Sequence, residues 1–173
     1  MMKVKKVAIL GGGNGGITAA ADLSNKGCEV SMFQSDKFCK NLDVIKKKGE
    51  IILQTLEEES VEKVHLVTDD IKEAILGAQI IMLAIPGMAI EYFAEILAPV
   101  VDEKQIIYIN SAAAMGCIRF INKAKEMGID KKFKICESNS LTYGCRAFAD
   151  EARVEMSLSV KKLFLGAYPA CDT

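Results

Sequence analysis

Histidine is almost absent from this sequence, and its cysteines are not arranged as metal ligands. The 173 residues include one histidine, His65, and six cysteines. None of the cysteines form a Cys-x-x-Cys pair. A zinc site requires clustered cysteine and histidine ligands, so we predict that no metal is bound. A single histidine also limits general acid–base chemistry, and we interpret His65 as a structural residue of a short strand.

An excess of charge of one sign and a long apolar run are also absent. The formal net charge is −1, which provides no basic field for nucleic acid. No run reaches the ~18 apolar residues that a transmembrane helix needs. Residues 1–6 are too few and too polar to begin a signal peptide. We therefore expect a cytoplasmic protein with no nucleic-acid partner and no membrane contact.

Apolar strands and helical segments alternate along most of the chain. Strands are predicted at residues 5–10, 28–33, 51–54, 64–67, 79–85, 105–109 and 133–136, and helices at residues 17–26, 37–48, 88–101 and 116–127, with a shorter helix from Asp69 or Asp70 to Leu76. This alternation is typical of an α/β fold with a doubly wound, mostly parallel sheet and a three-layer αβα arrangement. The length fits one domain over residues 1–173.

Two segments depart from this alternation. The acid-rich residues 56–62 are interpreted as an exposed turn or a hairpin tip. After Ser138, residues 142–144 resemble a turn, while residues 154–159 and 161–165 fit either a late hairpin or edge strands. The sequence leaves the course of this last part of the chain open.

A glycine-rich turn joins the first strand to the first helix. Gly11, Gly13 and Gly16 form the pattern Gly-x-Gly-x-x-Gly, and a second strand follows the helix. In such a βαβ unit the first glycine permits a tight turn, the second admits a pyrophosphate to the backbone, and the third allows close helix packing. We therefore predict a Rossmann-type dinucleotide-binding domain, with phosphates at the helix N-terminus beside Gly11, Gly13, Asn14, Gly15 and Gly16.

The end of the second strand bears on which dinucleotide is bound. An acidic residue there would bind the 2′-hydroxyl of an NAD ribose, but this position holds Gln34. Without a carboxylate a 2′-phosphate is not repelled, and Ser35 and Lys37 offer a hydrogen-bond donor and a positive charge. We predict NADP or NAD as the cofactor, with NADP favoured, and we interpret Asp36 as the N-cap of the next helix.

Three more strand ends are predicted to meet at the same edge of the sheet, where open α/β sheets bind their ligands. Ala84 and Pro86 follow one strand, and Asn110 and Ser111 follow the next. Small residues there leave space for the nicotinamide ribose, and Asn110 or Ser111 is a candidate to bind its hydroxyls. Glu137, after the last predicted strand at residues 133–136, is a further candidate. Ordinary polar loops are the alternative at each of these ends.

Four segments of the sequence together carry a family resemblance. They are residues 7–16 (VAILGGGNGG), 84–87 (AIPG), 110–116 (NSAAAMG) and 136–146 (CESNSLTYGCR). They resemble motifs of the opine dehydrogenase family, which includes octopine and nopaline dehydrogenases. The last segment is the more specific one, because the glycine motif is shared with ketopantoate reductases and glycerol-3-phosphate dehydrogenases. In the third segment Ser111 and Ala112 replace the usual Pro-Gly, and this departure leaves the shape of that loop open.

The resemblance implies the cofactor-binding half of an NAD(P)H-dependent oxidoreductase. Enzymes of the family condense an amino acid with a 2-oxo acid and reduce the resulting imine, a reaction on a CH–NH bond. Their catalytic His–Asp pair belongs to a C-terminal helical domain that this sequence lacks. We therefore expect no catalytic residue in this chain and a natural protein roughly twice as long. Arg146 is a candidate to bind a substrate carboxylate, with an ion pair to Glu137 or Asp150 as the alternative.

Two other functions stay open at this point. One is the cofactor domain of a ketopantoate reductase-like or glycerol-3-phosphate dehydrogenase-like enzyme, against which the segment at residues 136–146 argues. The other is a non-catalytic dinucleotide-sensing module that signals through its oligomeric state. Apolar surface left for a second domain would favour self-association, so a homodimer is a compatible state.

Overall fold

The computed structural model describes residues 4–35, 37, 42–110 and 115–170 of the chain. The strands are β1 (Lys6–Leu10), β2 (Glu29–Phe33), β3 (Glu50–Gln54), β4 (Glu59–Lys63), β5 (Leu66–Thr68), β6 (Ile80–Leu83), β7 (Ile106–Ile109), β8 (Lys134–Ser138), β9 (Tyr143–Phe148), β10 (Arg153–Ser159) and β11 (Leu165–Tyr168). The helices are α1 (Asn14–Asn25), α2 (Asp43–Lys48), α3 (Ile71–Ile75), α4 (Ile90–Leu97) and α5 (Gly116–Glu126), with a short 3-10 helix at Gly87–Ala89. Within these ranges, no helix has the length and apolar character needed to cross a lipid bilayer.

The larger sheet has seven strands in the order β11-β8-β7-β6-β1-β2-β5. All neighbouring strands are parallel except β11, which runs antiparallel to β8. The chain first proceeds from β1 towards β2 and β5, and then crosses to β6, β7 and β8 on the other side of β1. The predicted doubly wound, mostly parallel sheet is confirmed. The strand order reverses between β1 and β6, which creates a crevice at their carboxyl ends.

The central strands are apolar along most of their length because helices cover both faces of the sheet. Residues 7–10 of β1 and 81–83 of β6 are buried. Helices α3, α4 and α5 pack on one face, where Phe93 and Phe120 are among the largest fully buried side chains. Helices α1 and α2 pack on the other face. Strands buried on both sides appear in the sequence as continuous apolar runs, which explains why β1 and β6 were predicted correctly.

A second, four-stranded sheet packs against α1. Its order is β4-β3-β10-β9, with β3 and β10 parallel and the two outer pairs antiparallel. Helix α1 contacts β1 and β2 of the larger sheet and all four strands of the smaller one, so it lies between the two sheets. The sequence analysis did not predict this second sheet. Its central pair joins β3 to β10, which are far apart in the chain, and no local sequence pattern encodes such a pairing.

Several local predictions are corrected by the structure. Residues 56–62 contain a tight turn, closed by the Thr55 amide donating to the Glu58 carbonyl at 2.8 Å, followed by strand β4 rather than by more turn. Residues 142–144 are not a turn, because β9 begins at Tyr143, whose side chain is buried against α1. Strand β5 begins later than the predicted residues 64–67, and β11 begins only at the end of residues 161–165. For the predicted helix at 37–48, residues 38–41 lie outside the described residues.

Candidate cofactor site

The carboxyl ends of five parallel strands meet at one edge of the larger sheet. Gly11 follows β1, Gln34 follows β2, Ala84 follows β6 and Asn110 follows β7, while Glu137 is the penultimate residue of β8. The sequence analysis named all five as cofactor-binding candidates. The topology therefore brings these five backbone positions to one edge, around the switch point between β1 and β6.

The glycine turn is packed so tightly that two of its glycines have no space for a side chain. Gly11 has a φ of +126°, and a Cβ atom there would overlap the carbonyl oxygen of Ala84. A Cβ atom on Gly16 would overlap the carbonyl oxygen of Gly11. These close approaches hold the start of α1 against β1 and β6. The roles that the sequence analysis gave to the first and third glycines therefore have a direct steric basis.

The middle glycine faces open space. A Cβ atom on Gly13 would meet no atom within 4 Å, and its φ of −85° is accessible to any residue. Gly13 is the N-cap residue of α1, and no side chain caps this end of the helix. The first backbone N–H groups of a helix have no partner within the helix and carry partial positive charge. An open helix N-terminus with free amides fits the pyrophosphate of a dinucleotide.

Asn14 and Gly15, the other two candidate residues of the turn, are placed differently. The Asn14 side chain is committed to the second sheet, since its Oδ1 accepts a hydrogen bond from the Ala147 amide at 2.9 Å. The Asn14 carbonyl accepts from the Thr18 hydroxyl at 2.8 Å. A Cβ atom on Gly15 would lie 3.7 Å from Leu141, an ordinary contact. We find that Asn14 anchors the turn to β9, and that only its backbone amide is directed by the helix towards a ligand.

Gln34 binds the start of α2 rather than projecting freely from β2. Its Oε1 accepts from the Leu42 amide at 3.0 Å, and its Nε2 donates to Asp43 Oδ1 at 3.2 Å. The Gln34 amide donates to the Thr68 carbonyl at 2.9 Å. These three bonds fix the backbone at the end of β2. Asp36, interpreted from the sequence as a helix N-cap, lies outside the described residues.

Ser35 is buried, although the sequence analysis placed it at the ligand. Its side chain is packed against α4, where Ser35 Oγ donates to the Tyr92 hydroxyl at 2.8 Å. The same oxygen accepts from the Lys37 amide at 3.2 Å. Tyr92, which the sequence analysis missed, therefore stands at the end of β2. No local signal in the sequence marks it, because it belongs to a helix that follows β6.

The end of β6 forms one wall of the edge with its backbone. The carbonyl group of Ala84 is the closest neighbour of Gly11, and the Ala84 amide donates to the Leu10 carbonyl at 3.0 Å. Pro86 is exposed and precedes the 3-10 helix at Gly87–Ala89. Ala84 and Pro86 thus present small or rigid surfaces at this end, and the space for a nicotinamide ribose beside them stays a prediction.

Asn110 is completely buried, with a hydrogen-bond network of its own. Its Oδ1 accepts from the Thr142 hydroxyl at 2.9 Å and the Tyr108 hydroxyl at 3.3 Å. Its Nδ2 donates to the Met82 sulfur at 3.5 Å. In this arrangement the Asn110 side chain connects β7 to the segment before β9, and it presents no atom to the surface. Ser111 lies outside the described residues.

Glu137 closes the N-terminus of α5. Its Oε2 accepts a hydrogen bond from the Gly116 amide at 2.6 Å, and a carboxylate is favourable at that end of a helix. The neighbouring Cys117 thiol is buried, and burial, followed by the nearby Glu137 and Cys136 groups, raises the pKa of Cys117 to about 12. A thiol with this pKa is protonated at neutral pH and is not a nucleophile.

Arg146 is separated from these residues. It is exposed on β9, where Tyr143, Cys145 and Ala147 face α1, so alternation along the strand places Arg146 on the opposite face. Of the two carboxylates suggested as alternative partners, neither Glu137 nor Asp150 pairs with it. The structure leaves its guanidinium on the outer face of the second sheet.

The single histidine lies at the other end of the larger sheet. His65 Nε2 is 3.3 Å from Oε1 of Glu29, the first residue of β2, and both side chains are about half exposed. Across the described ranges, no three His, Cys, Asp or Glu side chains are grouped closely enough to hold a metal ion. The edge of the larger sheet at the carboxyl ends of β1, β2, β6, β7 and β8, called the cofactor edge below, thus contains backbone amides, hydroxyls and one capping carboxylate. Among its described residues it has no histidine.

The larger sheet has a switch point, and its glycine turn leaves space for a phosphate at the N-terminus of α1. These two features define the class of Rossmann-type NAD(P)-binding domains. Comparison with known proteins narrows this class. The family model for the N-terminus of NAD-dependent glycerol-3-phosphate dehydrogenase matches residues 6–118. The chain belongs to this family of dehydrogenase N-terminal domains.

Two curated relatives are dehydrogenases as well. The chain is 30% identical over 147 residues to an opine dehydrogenase of Arthrobacter sp. (strain 1C), covering 85% of this chain and 40% of that protein. It is 28% identical over 112 residues to a glycerol-3-phosphate dehydrogenase [NAD(P)+] of Thermoanaerobacter sp. (strain X514), covering 62% of this chain and 31% of that protein. The resemblance to opine dehydrogenases is confirmed, and the chain spans well under half of each relative.

The fold is also that of a solved opine enzyme. An octopine dehydrogenase solved with NADH and L-arginine superposes with a TM-score of 0.74 at 23% sequence identity, covering 93% of this chain and 41% of that one. This similarity confirms the fold, including the Rossmann-type sheet predicted from the sequence. The family model and the Thermoanaerobacter relative confirm the prediction of NAD or NADP as the cofactor.

Proposed function

We propose that this chain is the cofactor-binding part of an NAD(P)H-dependent oxidoreductase that reduces the imine formed from an amino acid and a 2-oxo acid. The similarity to the Arthrobacter opine dehydrogenase supports this reaction class. The octopine dehydrogenase that shares the fold was solved with NADH and L-arginine and with NADH and pyruvate. The substrates and the CH–NH specificity belong to this proposal for the whole protein.

The observation that carries the proposal is the open N-terminus of α1 at the switch point. The backbone amides at Asn14, Gly15 and Gly16 would bind the pyrophosphate, and Gly13 would let it approach without a side chain in the way. The fixed backbones of Gly11 and Ala84 hold that helix end in place. When bound, the nicotinamide supplies the hydride, and its ribose would lie towards Ala84, Pro86, Asn110, Ser111 and Glu137.

Among the described residues of this chain, no histidine lies at that edge. Catalysis of imine reduction needs a general acid or base beside the substrate, and His65 lies at the opposite end of the sheet. The carboxylate of Glu137 is bonded to the Gly116 amide. We therefore place the catalytic groups, and most substrate contacts, in a part of the protein beyond this sequence.

A titration with NADH and NADPH tests the cofactor role, and two glycine variants sharpen it. Gly13→Ala adds a methyl group in the space proposed for the pyrophosphate, whereas Gly166→Ala adds one on edge strand β11, also with nothing within 4 Å. We expect Gly13→Ala to weaken binding at least about tenfold, or ~1.4 kcal/mol, with Gly166→Ala unchanged. If neither dinucleotide binds the wild-type chain at millimolar concentration, the proposal is wrong.

A second candidate function is glycerol-3-phosphate dehydrogenase. The family model that matches residues 6–118 and the Thermoanaerobacter relative favour it. Activity assays on a longer protein that contains this chain would distinguish the two functions. NADPH oxidation with an amino acid and pyruvate supports the opine reaction, whereas oxidation with dihydroxyacetone phosphate supports the other.

A further inference from the structure

Ser35, the residue that follows Gln34, is nearly inaccessible to a ligand. Only 2% of Ser35 is exposed, and its hydroxyl is bonded to the Tyr92 hydroxyl at 2.8 Å. A ligand outside the protein surface cannot reach a side chain buried to this degree without displacing its neighbours. A direct contact between Ser35 and a cofactor is therefore disfavoured by this packing.

Tyr92 lies next to Ser35, at the strand end where Ser35 was expected to contact the cofactor. It is partly exposed on α4, and its ring packs edge-on against Phe93 with centroids 5.4 Å apart. Phe93 packs in turn, at 6.2 Å and 84°, against Phe33, the last residue of β2. These aromatic contacts hold α4 beneath the strand end at which Rossmann domains bind the adenosine ribose. The Tyr92 hydroxyl thus stands beside that end, fixed by its bond to Ser35.

A positively charged side chain lies beside Tyr92. The Lys37 ammonium lies over the Tyr92 ring, 5.0 Å from its centroid, within the range of a cation–π contact. The Lys37 amide is bonded to Ser35 Oγ at 3.2 Å. Ser35 therefore positions both a phenol and a lysine, and the pair combines a hydroxyl with a cation. This chemistry suits a phosphate dianion better than a sugar hydroxyl.

We propose that Tyr92 and Lys37 bind the 2′-phosphate of NADP(H), and that Ser35 is the positioning residue that holds them. This inference rests on the proposed function, since it identifies the cofactor that the same site prefers. It replaces the sequence-based assignment of Ser35 as the ligand contact. It also adds a residue from α4 to a subsite that the sequence analysis restricted to the loop after β2.

Affinities for NADPH and NADH, measured side by side by calorimetry on the 173-residue chain, test the proposal. Tyr92→Phe keeps the ring and removes the hydroxyl. We expect the ratio of NADPH to NADH affinity to fall about fivefold, as for the loss of one ordinary hydrogen bond. Lys37→Gln should lower this ratio about tenfold or more, because it removes a charge. Tyr168→Phe, on edge strand β11, is the matched control and should leave the ratio unchanged.

A double variant distinguishes positioning from contact. Ser35→Ala alone should lower the ratio, and in the Tyr92→Phe background it should lower it less, because only the bond from the Lys37 amide to Ser35 then remains to be lost. An equal further loss in that background would mean that Ser35 contacts the phosphate, and would overturn the proposal. An unchanged ratio in Tyr92→Phe overturns it as well, while leaving cofactor binding intact. Absence of binding of either dinucleotide to the wild type overturns the proposed function together with this inference.

Discussion

At the scale of single residues, the shape of the cofactor edge depends on two carbonyl oxygens. Those of Ala84 and Gly11 fill the space where Gly11 and Gly16 would carry a Cβ atom. Backbone atoms at the ends of two strands cannot move aside as a flexible side chain would. The two glycines therefore contribute to the stability of the fold, in addition to any effect on a ligand.

We expect Gly11→Ala and Gly16→Ala to lower the free energy of unfolding by roughly 2 kcal/mol or more, because each forces two backbone segments apart. At Gly11 the left-handed φ adds to the cost. Urea denaturation measures the free energy of unfolding of each variant. Gly166→Ala is the control and should stay within about 0.5 kcal/mol of the wild type, whereas Gly13→Ala, at the N-cap of α1, should cost less than about 1 kcal/mol. Equal stability of all four variants would show that the turn relaxes freely.

A second residue-scale prediction concerns Cys117. Burial, as the largest cause, raises its pKa from 9.0 to about 12, so the folded chain holds the thiol proton more tightly than the unfolded chain does. The resulting stabilisation is complete below pH 9 and is lost as pH rises towards 12. We expect the wild type to lose unfolding free energy between about pH 8 and about pH 10.5 more steeply than Cys117→Ala does. Parallel pH profiles for the two proteins would contradict the prediction.

At the scale of secondary-structure elements, a buried polar group fastens α1 to the second sheet. The Tyr143 hydroxyl on β9 donates to Asp22 Oδ2 at 2.8 Å, and the Lys26 ammonium reaches the same oxygen at 2.6 Å. Burial, with the adjacent Asp22, raises the pKa of Tyr143, so the phenol stays protonated and remains a donor. The bond joins α1 to a strand whose first two residues had been interpreted from the sequence as part of a turn.

Removing this bond should be costly. We expect Tyr143→Phe to lower the free energy of unfolding by about 1–2 kcal/mol, since Asp22 is only 6% exposed and loses a buried partner. Thermal or urea unfolding measures the change, with Tyr168→Phe at an exposed site as the control. A loss no larger than in the control would mean that Lys26 alone satisfies the carboxylate.

The ion pair between α4 and α5 should contribute less to stability than the bond between Tyr143 and Asp22. Arg119 binds Glu91 with two hydrogen bonds of 2.7 Å each, yet the two side chains are 35% and 42% exposed. Solvent screens such a pair, and exposed pairs contribute at most about 1 kcal/mol. We expect Arg119→Gln to cost less than Tyr143→Phe in the same unfolding assay, and less still at high salt. A larger cost for Arg119→Gln would contradict this ranking.

At the scale of the whole molecule, the described residues of the candidate cofactor edge include no histidine. We expect the 173-residue chain to bind dinucleotide but not to oxidise NADPH in the presence of an amino acid and pyruvate, because its single histidine lies at the opposite end of the sheet. Loss of NADPH absorbance above the protein-free rate would contradict this expectation. Dinucleotide at about 100 times its Kd should stabilise the folded chain by ~2.7 kcal/mol, which provides an independent readout of binding.

Much of the larger sheet could be predicted from the sequence, and the partners of the site residues could not. The glycine turn, β1, α1 and β2 follow from local signals, because a tight turn and a buried strand leave residue-by-residue signatures. The partners of Ser35 and Asn110 come from other elements, Tyr92 of α4 and Thr142 before β9. Such contacts depend on how the elements pack, so both polar side chains, expected at the ligand, are buried in the structure.

The sequence by itself determined the class of the domain and the position of its glycine turn. Both depend on short-range geometry: which residues permit a left-handed turn, which runs are apolar enough for a strand buried on two faces, and which spacing fits one βαβ unit. Only the tertiary structure decided that α1 lies between two sheets and that Tyr92 reaches the end of β2. These features join β3 to β10 and β2 to α4, segments that are distant in the chain, and their pairing follows from the packing of complete surfaces rather than from any local pattern of residues.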